Sequence, residues 1–413
     1  MNQKTVRYLI LLLTIASESF TLSAQSQWRG PNRDGKYPDT NLLKEWPAEG
    51  PKMLWSFEGL GTGQGSVAVS GNRVYVTGIP DTLTSEGFLF VFDTKGKMLW
   101  KKSYGKDWTG IFPGARSTPT VADDLVYIES GNGSVHCMNS QNGDKVWEID
   151  FFRDLQADSV QFGYSESVLI DGDILYCTPG GKTNNMVALN RFTGKKIWSG
   201  PAFGEPATYS SPILINRNGT RLLVNLTASS IIGLDAESGE MYWRIHQFQD
   251  NKIHANTPLY SDGKIIISSA SKKDSSGLVM LQLSADGKKA DILWRNKEFT
   301  NLMEGAILRD GYIYGSVYLQ PKWFCIDVET GLTKYIAKGL GGGPVIYADG
   351  NLYCYAEKDG EMALAEADPE KFIIISKFKV PLGTAQHWAH PVIADGKLYL
   401  RHNEALMVYD LKK

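Results

Sequence analysis

Cysteine, histidine and charge of one sign are all scarce in this chain. Its 4 cysteines and 6 histidines among 413 residues leave little material for a disulfide framework or a zinc cluster. The 43 basic and 45 acidic side chains give a formal net charge of −2. Such a mixed surface offers neither the basic footprint of a nucleic-acid binder nor a polybasic membrane patch. No stretch longer than one or two turns carries helical periodicity. A Gly-x-Ser-x-Gly elbow is missing as well, so nucleophilic acyl chemistry has no support. The glycine-rich runs at 61–65 and 339–343 are not followed by a helix. They lack the dipole that cradles phosphate and read as close-approach loops.

The one apolar run stands at the start. Lys4 and Arg7 precede residues 8–16 (YLILLLTIA), and the small residues Ser23 and Ala24 precede Gln25. A charged end, an apolar core too short to span a bilayer and a small-residue site predict a signal peptide over 1–24, cleaved after Ala24. Without a cysteine after that site, no lipoprotein anchor is expected. The mature chain, 25–413, is expected to be one exported domain, periplasmic or extracellular, monomeric and without a transmembrane segment.

What the chain does have is a repeat. Residues 93–100 (DTKGKMLW), 139–147, 190–198 and 235–243 share the phrase Asp-x-x-[ST]-Gly-Lys-x-x-Trp, with Asn for Asp in two copies. Looser copies end at Trp294 and Tyr335, giving a spacing of 41 to 51 residues, and Trp55 stands alone before the first. A period in this range points to a propeller or an array. Within each unit, short alternating strands flank tight turns, as at 260–267 (YSDGKIII), 347–353 and 393–399. Asp-Gly suits such hairpins because both residues tolerate positive φ.

Counting first strands gives eight units, starting at Ser66, Ser117, Ser165, Ser210, Asn256, Glu304, Gly342 and Ala389. The last unit stops after its third strand, so residues 51–57 are expected to supply its fourth and close the ring. Closure matters because an open propeller leaves two sheet edges unpaired. The predicted fold is therefore all-β, an eight-bladed propeller of four-stranded antiparallel blades, with the tryptophans as wedges between blades. Cys137 and Cys325 occupy matching positions in opposite blades, as do Cys177 and Cys354. Each pair lies beyond the roughly 4.4–6.8 Å a disulfide spans, so all four are expected free and buried.

These repeats resemble the tryptophan-docked PQQ-like β-propeller, shared by quinoprotein dehydrogenases and BamB-like outer-membrane assembly proteins. The opening 27–35 (QWRGPNRDG), with Glu45-Trp46-Pro47 and 50–55 (GPKMLW), is similar to the start of many secreted bacterial members. The resemblance covers essentially the whole mature chain, but the repeat encodes blade packing, and fold does not imply function. Quinoprotein dehydrogenases hold PQQ and Ca²⁺ over the channel, usually with an adjacent Cys-Cys disulfide and an Asp base. This chain has no Cys-Cys pair, no Cys-x-x-Cys-His and no obvious insertion to build a lid.

Propeller geometry places the fourth-to-first-strand segments at the channel mouth. Their polar and aromatic residues are Arg116, Tyr164, Glu166, Tyr209, His254, Asn256, Glu304, His387, Trp388 and His390. Three readings remain open for this ring. Glu166, Asn256 and Glu304 are oxygen ligands able to hold Ca²⁺, with Arg116 facing quinone carboxylates and Trp388 stacking on a planar ring. Alternatively the ring binds a carbohydrate, peptide or small molecule without chemistry, or its members bond only to each other and to water. His387 and His390 are not expected to form a metal pair, since residues three apart on an extended segment point to opposite faces. The function expected is a non-catalytic binding or protein-interaction scaffold, without a cofactor. Its partner would be an envelope or extracellular protein, or a small-molecule or carbohydrate ligand. The alternative is a PQQ- and Ca²⁺-dependent dehydrogenase of an alcohol or sugar.

Overall fold

The structure, a computed structural model, describes residues 26–200, 202–247, 253–270, 276–318 and 320–413. The expected signal peptide lies outside the described residues. Each copy of the repeated phrase folds as an Asx turn. Asp93 Oδ1 accepts the N–H groups of Lys95 and Lys97, both at 2.9 Å, and Asp235 Oδ1 accepts those of Glu237 and Ser238 at 3.0 and 2.8 Å. The carboxylate thereby replaces ladder bonds while the chain reverses between third and fourth strands. The glycine that follows has positive φ and clears space for the indole of the preceding blade. A Cβ on Gly239 would meet Trp198 at 2.4 Å, and one on Gly331 would meet Trp294 at 2.5 Å. The indole N–H groups of Trp147, Trp198, Trp243 and Trp294 reach carbonyls of the next blade at 2.8–3.0 Å. Turn and wedge are one device.

Eight four-stranded antiparallel sheets result, from the inner strand Ala68–Ser70 of the first blade to Val392–Ala394 of the eighth. The inner hairpins turn on paired positive φ values, 48° and 83° at Asp262 and Gly263 and 54° and 71° at Asp395 and Gly396, as tight two-residue loops require. Among the described residues the helical elements are Phe151–Leu155 and the 3₁₀ turn Ala202–Gly204. None is long and apolar enough to cross a membrane. The buried apolar clusters lie within and between the blades, and the four cysteines are free and buried. Inner strands start two to four residues later than expected, because the residues before them line the channel mouth unpaired.

Ring closure follows the expectation. Met53–Phe57 pairs antiparallel with Ala405–Asp410, Trp55 opposite Val408 and Phe57 opposite Leu406. A second role of the N-terminal segment was not foreseen. Lys36–Tyr37 adds a parallel fifth strand inside the seventh blade, against Val345–Ala348. Before it, Ser26 bridges Val121 of the second blade, and Arg33 donates to the Ser167 and Val168 carbonyls of the third. Trp28 Nε1 donates to Thr257 Oγ1 of the fifth at 2.8 Å, and Arg29 to the Ala306 carbonyl of the sixth at 2.8 Å. A segment touching inner strands on opposite sides of a ring lies on its axis, so residues 26–37 plug the channel. Arg29 and Arg33 are 3 % and 2 % exposed there. Further along, Trp46 packs on Tyr353 and Phe378 with centroids 5.7 and 5.6 Å apart, beside an outer strand, Ile374–Lys379, that has no tryptophan of its own.

Candidate functional site

The segments entering the inner strands run extended, so successive side chains alternate in direction. That parity divides the expected ring. Ser165, Ser167, Tyr209, Ser211, Ile253, Ala255, Trp388 and His390 face a central cavity of about 190 Å³, with Arg116 beside them. Tyr164, Glu166, His254, Asn256, Glu304 and His387 are absent from its wall and are buried instead. Four of the ten expected residues, Arg116, Tyr209, Trp388 and His390, therefore come together at the mouth. As expected, His387 and His390 part company: His387 stacks on His402 with centroids 3.5 Å apart and bonds to the Tyr355 hydroxyl.

The wall also holds residues that sequence reasoning passed over: Trp28, Gln64, Phe112, Phe162 and Tyr318. Trp28, from the plug, meets His390 edge-on with ring centroids 4.6 Å apart. Phe112, at φ 54° and 48 % exposed, sits in the loop between Met98–Lys106 and Thr120–Ala122. It contacts Trp388 edge-on at 5.4 Å and Phe162 at 6.3 Å, and Phe162 in turn lies 6.2 Å from Tyr209. These rings arch over the cavity, so a short loop covers the mouth without the long insertion whose absence the sequence showed. The available signals were the unrepeated apolar pair Ile111-Phe112 and the Trp in the opening phrase.

Electrostatics sort the polar groups. Arginine can only donate, so the 3.0 Å contact of Arg29 Nη1 makes His390 Nδ1 an acceptor. The proton then sits on Nε2, which donates to the Met303 carbonyl at 3.0 Å. Burial, then the neighbouring Arg29 charge, lowers the His390 pKa to about 3, so the ring is neutral. Among the described residues no Asp or Glu lines the cavity, which leaves Arg116 as the formal charge on the described wall. Arg116 Nη2 is tied to the Ile111 carbonyl at 3.1 Å and to that of Phe112.

Behind the wall the acids and imidazoles are held by burial. Glu129 Oε1 accepts the Glu166 N–H at 2.9 Å, and burial raises both carboxyls, Glu166 to about 8. Burial raises Glu304 to about 7 and lowers His254 to about 4. Asn256 spends its amide on Gly305 N–H and on the Ser268 and Asn301 carbonyls. Glu304 Oε2 accepts the N–H groups of Leu302 and Met303 at 2.9 and 3.0 Å. Glu166, Asn256 and Glu304 are thus absent from the cavity wall, although both Glu166 carboxylate oxygens and Glu304 Oε1 are buried without a hydrogen-bond partner. No group of three or more His, Cys, Asp or Glu among the described residues is placed to hold a metal ion. The residues present do not fit the Ca²⁺ and quinone arrangement of the dehydrogenases, because strand parity turns these three side chains away from the mouth.

Comparison with known proteins accords with this architecture. The family model described as outer membrane protein assembly factor BamB matches residues 85–336. The quinohemoprotein alcohol dehydrogenase of Comamonas testosteroni is 26 % identical over 144 residues, 32 % of this chain and 20 % of the relative. Outer membrane protein assembly factor BamB of Burkholderia pseudomallei is 28 % identical over 165 residues, 40 % of this chain and 36 % of the relative. The matches thus span well under half of these relatives' lengths. The crystal structure of BamB from Moraxella catarrhalis superposes with a TM-score of 0.60 at 12 % identity, covering 87 % of this chain and 98 % of that one. With the family match running through more than half of its length, the chain belongs to the PQQ-like β-propeller family of outer membrane protein assembly factor BamB.

Proposed function

We propose that the chain is an exported, monomeric propeller that works by binding, as a non-catalytic scaffold whose contact surface is the channel mouth. One observation carries this reading: an aromatic arch, Phe112 to Trp388, stands over a cavity floored by the chain's own N-terminal segment. Aromatic side chains held at a surface supply contact area at low entropic cost. The described wall residues include no carboxylate to act as a base, and both nitrogens of His390 are engaged. The relatives named as assembly factors favour an envelope protein as partner.

A photo-crosslinking residue in place of Phe112, compared with one in place of the outer-strand residue Leu99, tests the surface in living cells. Saturable adducts at 112 and none at 99 are expected; the reverse pattern overturns the reading. PQQ and Ca²⁺ added to the purified chain are expected to give no dye-linked alcohol oxidation. Stoichiometric quinone binding with turnover would replace the scaffold by a dehydrogenase.

A further inference from the structure

Two hydrogen-bond donors in the mouth cavity have no protein acceptor. Arg116 is pinned through Nη2 to its own loop, while Nη1 makes no hydrogen bond and is not buried. Tyr209 Oη accepts the Phe162 N–H at 3.1 Å, which leaves the phenolic hydrogen without a partner. Gln64, half-buried on the same wall, adds a carboxamide with no bond to protein. Ser165, Ser167, Ser211 and His390 are polar but already bonded to protein, and the rest of the lining is mainly apolar or aromatic, chiefly Trp28, Phe112, Phe162, Tyr318, Met303 and Trp388.

Charge and size narrow what such a cavity accepts. A guanidinium beside a free hydroxyl, with no carboxylate among the described lining residues, favours one anionic group, since charge-assisted bonds are roughly twice as strong as neutral ones. A sugar would bring many hydroxyls, and among the described residues its donors would find few free acceptors beyond Gln64, since the three serines of the wall are already bonded; buried donors left unpaired are costly. An apolar cavity of about 150 Å³ holds one benzene molecule. The space here, about 190 Å³, takes one ring and a short acidic arm.

We propose that the mouth cavity is a site for a small aryl monocarboxylate, its carboxylate on Arg116 Nη1 and the Tyr209 hydroxyl and its ring among Trp28, Phe112 and Trp388. The proposal rests on the binding reading above and adds the chemistry of the ligand. Specificity comes from the unpaired donors, because a neutral isostere leaves Arg116 desolvated with only the buried Asp107 carboxyl as a neighbouring acid.

The test titrates the purified chain with phenylacetate, phenylacetamide and methyl glucoside, followed by calorimetry and by tryptophan fluorescence. Phenylacetate is expected to bind, and phenylacetamide at least about tenfold more weakly. Arg116→Gln, which also frees the Phe112 loop, is expected to weaken the acid about tenfold more than the amide, with a smaller difference in Tyr209→Phe. Unchanged urea midpoints show that both variants are folded. Equal affinity for acid and amide, preference for the glycoside, or no saturable binding at millimolar concentrations overturns the proposal. If no acid binds while crosslinks at position 112 persist, the anion site fails and the scaffold reading stands; if the crosslinks vanish too, both fail.

Discussion

The indole of Trp55 lies against the α-carbon of Gly96, where a Cβ would come within 2.6 Å of the ring. Trp55 Nε1 also donates to the Thr94 carbonyl at 3.3 Å. The seam where the chain's start meets its end is thus locked by the same contact that joins the other blades. Gly96→Ala is expected to cost about 2–4 kcal/mol, from the overlap and from its φ of 93°. Gly71→Ala, also at positive φ but with nothing within 4 Å, should cost about 1 kcal/mol. Urea midpoints of the two variants separate contact from backbone strain.

Arg29 is the tie between plug and ring. Arg29→Met removes the donor to His390 Nδ1 and to the Ala306 carbonyl. A loss of about 2–4 kcal/mol is expected from the groups left unpaired. Chemical denaturation measures it, and a change below about 0.5 kcal/mol, the usual range for surface substitutions, would show that the plug is dispensable.

Stability should peak in mildly acidic solution. His254 and His390 titrate in the folded chain at about 4 and about 3, below their ordinary 6.5. The unfolded chain binds the extra protons, so this contribution is present above 6.5 and is lost as pH falls. Glu166 and Glu304 titrate at about 8 and about 7, above their ordinary 4.5. The folded chain binds the extra protons, so this contribution is present below 4.5 and lost as pH rises to 8. The two oppose each other between 4.5 and 6.5, leaving the maximum there. Glu166→Gln should flatten the alkaline limb by a few kcal/mol, read from unfolding midpoints across the pH range.

Phe112 contributes to recognition more than to folding. At 48 % exposure it buries only about half its surface, so Phe112→Ala should cost no more than about 1–1.5 kcal/mol of stability. The same variant should lose phenylacetate binding at the mouth, measured by calorimetry.

The repeats made the architecture legible because blade packing constrains the same positions in blade after blade: Asp or Asn for the turn, Gly for the close approach, and Trp for the wedge in six of the eight. The mouth was half legible. Choosing polar residues from each segment ignored the alternation that sends Tyr209 and His390 to the cavity and His254 and Glu304 behind it. Trp28 and Phe112 were missed because neither belongs to the repeat, and only tertiary contact gives an unrepeated residue its place. The plug was hidden for the same reason, although its phrase stood at the front of the chain.

That plug orders events in time. Arg29 and His390 stand 361 positions apart. At a synthesis rate of about 5–20 residues per second, roughly 20–70 s separate the making of one from the making of the other. Throughout that interval the segment that seals the axis has no complete ring to enter, and the first blade has no eighth blade to lean on. The ring can be finished only after its last strand exists, so the oldest part of the chain waits longest for its partners. Until the eighth blade exists the ring is unfinished and its seam exposed, so the plug at residues 26–37 is the segment whose partners arrive last.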